Sequence, residues 1–245
     1  MSGSLYLLST PIGNLDDMTF RAVKTLQEVD LVAAEDTRRA MKLLNHFEIK
    51  VATTSYHMHN ERGKTASLLD RVEAGEKVVV LSDAGTPAIA DPGFYIVREA
   101  VARDIEPIII PGVSALTFAA VSAGLPVDQF AFCGFLPVKK GKRQKVLERM
   151  REIGLTCFVF ESPYKMPKLL EEIAAVCGSQ VQIAIIREAT KIYEETIRGS
   201  VSALAAEFQN RKWKGEIVVA IDMSTAEAQE EVEEEIPKKR KRRNQ

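Results

Sequence analysis

Cysteine and histidine are scarce in this chain, with three of each among 245 residues. Cys133, Cys157 and Cys177 lie in or beside apolar segments at spacings that suit no metal site. They are expected to be reduced core residues of a cytoplasmic protein rather than a disulfide framework. His57 and His59 stand two residues apart, but no third ligand accompanies them, so no metal is expected. No apolar run approaches the length of a membrane span, and Met1–Leu8 lacks the basic region that opens a signal peptide. Neither G-x-x-x-x-G-K-[ST] nor G-x-G-x-x-G occurs, which argues against a P-loop enzyme and against a standard dinucleotide enzyme. An excess of one charge is missing too: 33 Lys and Arg face 34 Asp and Glu, a net charge of -1. With 46% hydrophobic and 27% charged residues, the totals describe an ordinary globular protein of one large or two modest domains. They do not exclude nucleic acid, because a local basic patch decides that.

What is present is an alternation of strand and helix patterns. Its centre is the stretch from Val78 to Gly93 (Val-Val-Val-Leu-Ser-Asp-Ala-Gly-Thr-Pro-Ala-Ile-Ala-Asp-Pro-Gly). The valine-rich run reads as a strand buried on both faces of a parallel sheet. It breaks into small residues, two prolines and two glycines where such a strand would end, and helical spacing resumes over Phe94–Arg103. Asp91 is expected as the N-cap of that helix and Pro92 at its first position. Strands are expected at Ser4–Ser9, Val29–Ala34, Val51–Ser55, Lys77–Leu81 and Glu106–Ile110, with helices between them, which predicts a parallel, doubly wound sheet. Ligands of open α/β sheets sit beyond the carboxyl ends of the strands. The loop from Ser82 to Pro92, with its two aspartates, is therefore the first candidate for a binding site; a tight turn with a capping Asp is the plainer alternative.

A boundary is expected near Gly124-Leu125-Pro126, after a small-residue helix over Leu116–Ala123. Counting that helix with the second half gives an N-terminal domain over 1–114 and a C-terminal mixed α/β domain over 115–225, with the Glu194–Gly199 segment antiparallel. Residues 226–245 carry Glu227, Glu230, Glu231 and Glu233 to Glu235, then Lys238, Lys239, Arg240, Lys241, Arg242 and Arg243. Such acidic and basic blocks without apolar periodicity are expected to be a disordered tail, either solubilising or a tether for nucleic acid.

The loops Thr10–Asp17, Ser82–Pro92 and Pro111–Ala115 all follow expected strands, and a parallel sheet would bring them to one edge. They offer small residues, prolines and acids but few cations. That suits a cationic or neutral ligand with hydroxyls and an aromatic base better than a phosphate. The ordered set Leu5–Leu15, Ala34-Glu35-Asp36-Thr37-Arg38, Ser82–Pro87 with Asp91-Pro92-Gly93, and Pro111–Ala115 resembles the tetrapyrrole-methylase-like (class III) S-adenosylmethionine methyltransferases. Glu161-Ser162-Pro163-Tyr164-Lys165, Arg187–Lys191 and Lys214-Gly215-Glu216 are similar to the branch of that family that modifies ribosomal RNA. The resemblance covers about Leu5 to Asp222. It implies two α/β domains with a cofactor cleft between them, a homodimer, and S-adenosyl-L-methionine as cofactor. It further implies methylation of the ribose 2′-hydroxyl of a cytidine in the decoding region of small-subunit (16S) rRNA, free or in the 30S subunit.

Position by position, the resemblance assigns cofactor contact to Leu8, Pro11, Asp83, Ala84, Gly85, Thr86, Ile89, Ser114 and Ala115. The segments Phe160-Glu161-Ser162 and Glu216-Ile217 would close over the adenosine. Tetrapyrrole enzymes usually begin the central loop Gly-Asp-Pro; here it begins Ser82-Asp83-Ala84, a departure that weakens a tetrapyrrole substrate. A ribose hydroxyl is weakly acidic, so methylating it calls for a base or a cation. Glu35, Arg38 and Glu188 are the candidate catalytic residues. His59, Glu61 and Lys191 are candidates for RNA contact, as are Lys139, Lys140, Lys142 and Arg143 of the densest basic cluster outside the tail, which Lys145 extends. For each the alternative is a helix cap or a surface ion pair. Two other functions stay open: a small-molecule or tetrapyrrole methylase of the same fold, and an RNA-binding ribosome-assembly factor without catalysis.

Overall fold

The computed structural model describes residues 3–226. The charged tail expected over 226–245 lies, from residue 227 on, outside the described residues. The first half runs β1 (Ser4–Leu8), α1 (Phe20–Glu28), β2 (Leu31–Ala34), α2 (Thr37–His46), β3 (Ala52–Ser55), α3 (Glu61–Glu73), β4 (Lys77–Leu81), α4 (Phe94–Ala102) and β5 (Ile108–Ile110). The strands pair in the order β3-β2-β4-β1-β5, and every pairing is parallel. Valine and leucine on both faces of β4 bury against helices on both sides. Leu5, Leu7, Val78 and Val80 face α3 and α4. Leu8, Val79, Leu81 and Ile110 face α1 and α2.

Register decides where the loops go. Leu8 pairs with Leu81 and with Ile110, Ala34 pairs with Leu81, and Ser55 with Ala34. All five strands therefore end in one row, and the loops that follow them crowd one edge. The chain leaves β1 toward α1 on one face and leaves β4 toward α4 on the other. Connections to opposite faces part between these neighbours, which makes β1/β4 the switch point where α/β sheets form crevices.

α5 (Ala115–Ala123) leads to β6 (Phe130–Phe135), α6 (Lys140–Ile153), β7 (Thr156–Glu161), α7 (Met166–Cys177), β8 (Gln182–Arg187), β9 (Glu195–Ser200), α8 (Val201–Glu207) and β10 (Ile217–Asp222). This sheet is mixed: its order is β6-β7-β10-β8-β9, with only β6 and β7 parallel. Helices α6, α7 and α8 cover one face around Leu147, Met150, Leu169 and Ile173. On the other face Ala119, Ala120 and Ala123 of α5 pack against Phe158, Ala184, Ile186 and Val218, so α5 belongs with the second sheet.

Two local expectations are corrected. The N-cap of α4 is Gly93, not Asp91, and Pro92 precedes the helix. Gly93 sits at φ 144°, and a Cβ there would lie 2.8 Å from the Ala88 nitrogen. The Ala88 N–H donates to the Pro92 carbonyl (3.1 Å), a turn that leaves the Asp91 carboxyl free of capping. Helix α6 begins at Lys140, so the basic cluster from Lys140 onward is helical.

Candidate active site

The switch point is built by interlocked loops. Thr10 and Gly85 exchange backbone hydrogen bonds (2.8 and 3.0 Å), a two-residue antiparallel ladder joining the loop after β1 to the loop after β4. Gly85 adopts φ +79°, which glycine reaches without steric cost. The Ser82 hydroxyl donates to the Gly85 carbonyl (2.9 Å), and the Ser9 and Thr86 hydroxyls are 2.8 Å apart. Ala88 and Ala90 are held at φ 70° and 65°, where non-glycine residues are uncommon. Backbone strain of this kind persists where the surroundings over-determine it, and it clusters at binding sites.

Between the two sheets the loop from Ala84 to Asp91 faces the carboxyl end of β7 and the start of β10 across a cavity of about 300 Å³. Its walls are apolar or small: Ile12, Ile89, Phe135, Phe160, Ile186 and Ile217, with Ala84, Gly85, Ser114, Ala115, Ala189 and Gly215 between them. The second half fixes its side of the cavity with paired charges. Glu161, at the end of β7, is buried and receives Arg143 Nη2 at 2.6 Å and its neighbour's Ser162 N–H at 2.8 Å. Arg143 also pairs with Glu172. Below, Lys191 Nζ bridges Glu188 and Glu216, each at 2.9 Å, and Glu188 also accepts the Glu216 N–H. Burial favours a higher Glu188 pKa, but the bonds from Lys191 and Glu216 outweigh it and hold the carboxyl below its usual value. The stem of Lys191 crosses Gly13, where a Cβ would meet its Cγ at 2.4 Å, so the two halves touch here through an absent side chain.

The acids of the first half are placed differently. Asp83 spans to the start of α2, its Oδ1 accepting the Asp36 N–H (2.9 Å) and its Oδ2 lying 3.4 Å from Arg39. Glu35 is partly buried with Oε2 bonded to nothing; burial, then the charge of Asp83, pushes its pKa up. Asp91 lines the cavity, and burial followed by the charges of Glu35, Asp83 and Glu216 pushes it up to about 7. Carboxylates from two loops, after β2 and after β4, thus converge, and of the three only Asp83 lies close to a cation, Arg39.

This donor set fits a sulfonium nucleoside. Flat apolar walls suit an adenine ring, small residues with exposed backbone suit a ribose and an amino acid, and unneutralised carboxylates suit a positive sulfur. Of the residues expected at the cofactor, the structure brings Ala84, Gly85, Thr86, Ile89, Ser114, Ala115, Phe160, Glu161, Ser162, Glu216 and Ile217 to this cavity. Three lie elsewhere. Leu8 is fully buried, because its place in β1 turns it into the layer under α1. Pro11 and Asp83 line a second cavity of about 180 Å³ with Leu15, Arg39 and Lys42, on the α2 side of the switch point.

Arg38 is outside both cavities, its guanidinium held on Asp36 (2.6 Å) at the start of α2. That hydrogen bond draws the Asp36 carboxyl well below its usual range. Two expected RNA contacts are corrected. Arg143 is 3% exposed because it neutralises Glu161 and Glu172, and Glu61 is 8% exposed at the first turn of α3. His59, Lys139, Lys140 and Lys142 are exposed, and Lys191 is partly buried in its carboxylate bridge. Sequence reasoning missed Ile12, Phe135, Ile186, Ala189 and Gly215 as lining residues, and it gave Asp91 to the helix cap. For Asp91 a signal existed, a second acid in a loop otherwise made of small residues. For Phe135 and Ile186 there was none, since in sequence they are ordinary core positions; Ile12, Ala189 and Gly215 stand inside the family-like segments Leu5–Leu15, Arg187–Lys191 and Lys214-Gly215-Glu216.

A family model described as "Tetrapyrrole (Corrin/Porphyrin) Methylases" matches residues 4–205. The chain is 43% identical over 233 residues to the ribosomal RNA small subunit methyltransferase I of Synechocystis sp., covering 95% of this chain and 84% of that one. It is 42% identical over 219 residues to the protein so named in Thermotoga maritima, covering 89% and 98%. Among solved structures, a uroporphyrin-III C-methyl transferase from Thermus thermophilus complexed with S-adenyl homocysteine superposes with a TM-score of 0.63 at 17% identity, over 90% and 98% of the two chains. A diphthine synthase superposes with a TM-score of 0.68 at 15% identity, over 90% of each chain. Both share the two-sheet fold, and by the match of sequence and of architecture the chain belongs to the tetrapyrrole (corrin/porphyrin) methylase family.

Proposed function

We propose that this protein is an S-adenosylmethionine-dependent methyltransferase that methylates the ribose 2′-hydroxyl of a cytidine in the decoding region of small-subunit rRNA. The observation that carries this reading is the cavity between the sheets, apolar-walled with converging carboxylates, in a chain over 40% identical to enzymes named for small-subunit rRNA. When bound, the cofactor supplies an electrophilic methyl group on a sulfonium. Ala84 to Thr86, Ser114 and Ala115 would hold it by backbone and small side chains, Ile89, Phe160 and Ile217 would supply the apolar wall for the base, and Asp91 would supply a carboxylate for the positive charge. The walls exclude water and fix the direction of approach, which dominates an in-line displacement.

Glu35 lines neither cavity in this structure; it follows Ala34, which lines the second one, and its partly buried carboxylate is the group we assign to accept the ribose proton. Its Oε2 has no partner, and its raised pKa brings it closer to the range in which a carboxylate works as a base. Glu188 is better read as a positioning residue, since its oxygens are committed to Lys191 and Glu216. Lys139, Lys140 and Lys142 stand exposed at the N-cap and first turn of α6. Cations are unfavourable at a helix N-terminus, so phosphate bound there would offset a cost the fold otherwise carries. Ile108 and Ile109 on edge strand β5 and Val121 on α5 are exposed, which supports a homodimer closing over that edge. Residues 1–114 and 115–225 are read as two domains, and the compartment as the cytoplasm.

Transfer of labelled methyl to unmodified small subunits, to protein-free small-subunit rRNA and to a tetrapyrrole precursor tests the function. Label on a ribose of the RNA is expected. Label only in the tetrapyrrole would refute the RNA assignment while leaving the cofactor site standing.

A further inference from the structure

On the α3/α4 side of the first sheet, four planar groups stack in sequence. The Arg62 guanidinium lies 4.8 Å from the centre of the Tyr95 ring, Arg98 lies 5.1 Å from the same ring, and Arg98 lies 5.6 Å from Phe94. Arg62 also donates to the Tyr95 hydroxyl. The ladder borders an open groove of about 460 Å³ lined by Arg62, Thr65, Ala66, Tyr95, Arg98 and Glu99. Phe94 is 60% exposed, and both arginines are exposed.

Neither Arg62 nor Arg98 has a carboxylate partner among the described residues. The one acid lining the groove, Glu99, lies 3.4 Å from Arg103 instead. Other arginines of this chain, such as Arg143, Arg187 and Arg211, are paired with carboxylates. Arg62 and Arg98 thus hold their guanidiniums free of acids and braced on the half-buried Tyr95 ring and the exposed Phe94 ring.

The ladder also lies beside the cleft. Phe94 opens α4 three residues beyond Asp91, which lines the cofactor cavity. Arg62 stands in the first turn of α3, next to the exposed Met58 and His59. We infer that the Arg62–Tyr95–Arg98–Phe94 ladder is a second RNA-binding surface, which holds a single-stranded segment flanking the target nucleotide by stacking unpaired bases and contacting phosphates. Ring faces and guanidinium planes accept any base, while the guanidinium edges reach the backbone. Single-stranded RNA is recognised in this manner when its bases are splayed out. A target ribose brought into a cleft between two sheets requires such a splayed strand, so this inference rests on the RNA reading above and extends it.

The test compares the native chain with Arg62→Ala/Arg98→Ala and with Phe94→Leu/Tyr95→Leu, measuring affinity for protein-free small-subunit rRNA and for assembled subunits over a range of salt. Cofactor affinity, read by calorimetry, reports that each variant is folded. The arginine variant is expected to lose at least about tenfold in affinity, and its salt slope to shrink by about 1.4, two single-strand phosphate contacts. The leucine variant is expected to lose about tenfold with the slope preserved, as for loss of a stacked base. Arg62→Lys/Arg98→Lys is expected to restore the slope without the full affinity. Native binding with unchanged variants overturns the inference and leaves the RNA reading intact. Loss confined to assembled subunits overturns it as well, since the surface would then read a protein. Failure of the native chain to bind either RNA overturns both.

Discussion

The two halves of the cleft treat their carboxylates in opposite ways. On the second-sheet side every acid near the cavity is tied to a cation: Glu161 to Arg143, Glu188 and Glu216 to Lys191. On the first-sheet side Glu35 has a bare oxygen and Asp91 is pushed up to about 7, with like charges for neighbours. The pairing stabilises one wall as a rigid frame. The other wall keeps Asp91, which changes charge near neutral pH, and Glu35, whose carboxyl burial pushes up, and perturbed groups of this kind are what chemistry and cation binding need. The frame is antiparallel and mixed; the titrating loops hang from the parallel sheet at its switch point.

The largest test removes a brace from the frame. Arg143→Ala would leave Glu161 buried without its partner, and breaking a buried pair this way costs about 3–5 kcal/mol. A fall in unfolding free energy of that size, read by denaturant titration, is expected, whereas replacing Arg143 and Glu161 together by Met and Gln should recover most of it. Equal losses in both variants would show that the pair is not what holds this wall.

On the opposite wall, Glu35→Gln is expected to leave the fold intact and lower kcat by about 10²-fold, as for removal of a general base. Unchanged turnover at saturating RNA would remove Glu35 from the chemistry. Asp91→Asn should act through pH. The native carboxyl is protonated up to about 7 when folded, but only up to about 4 when unfolded. The folded state therefore binds more protons between those limits, and stability falls as pH rises through them. The variant should lack that slope and be the more stable form above neutrality, as denaturation in acid and in mild alkali would show. A bound cation favours ionised Asp91, so cofactor affinity of the native chain should rise by about tenfold from about pH 6 to about pH 8. In Asp91→Asn that rise should vanish, and a persisting rise would assign it to another group. The smallest effect is expected at the rim. Lys139→Ala/Lys140→Ala/Lys142→Ala should reduce the salt slope of RNA binding by about 2, with cofactor affinity unmoved. An unchanged slope would return these lysines to the role of a solvated helix end.

How far the site could be read in advance differs between the halves for the same reason. The loop from Ser82 to Gly93 announces itself locally, because glycine, proline and small residues have few other uses at the end of a buried valine strand. Asp91 was nevertheless misplaced, since a cap and a cavity acid look alike in sequence. Arg143 was misread because it sits within a run of lysines, and charge runs normally face water. Only the position of Glu161 and Glu172 behind it turns that one cation inward.

What the sequence determined by itself was the alternation of strands and helices, the parallel first sheet and the loops that end its strands. These follow from periodicity, β-branched runs and turn chemistry, all of them short-range properties. Tertiary structure decided the rest: which strands neighbour β4, which arginines are spent on buried partners and which stay free over Tyr95, and which acids remain without a cation. Those outcomes depend on residues far apart in the chain meeting at a few ångströms, where burial and Coulomb forces act, and local patterns carry no record of that distance.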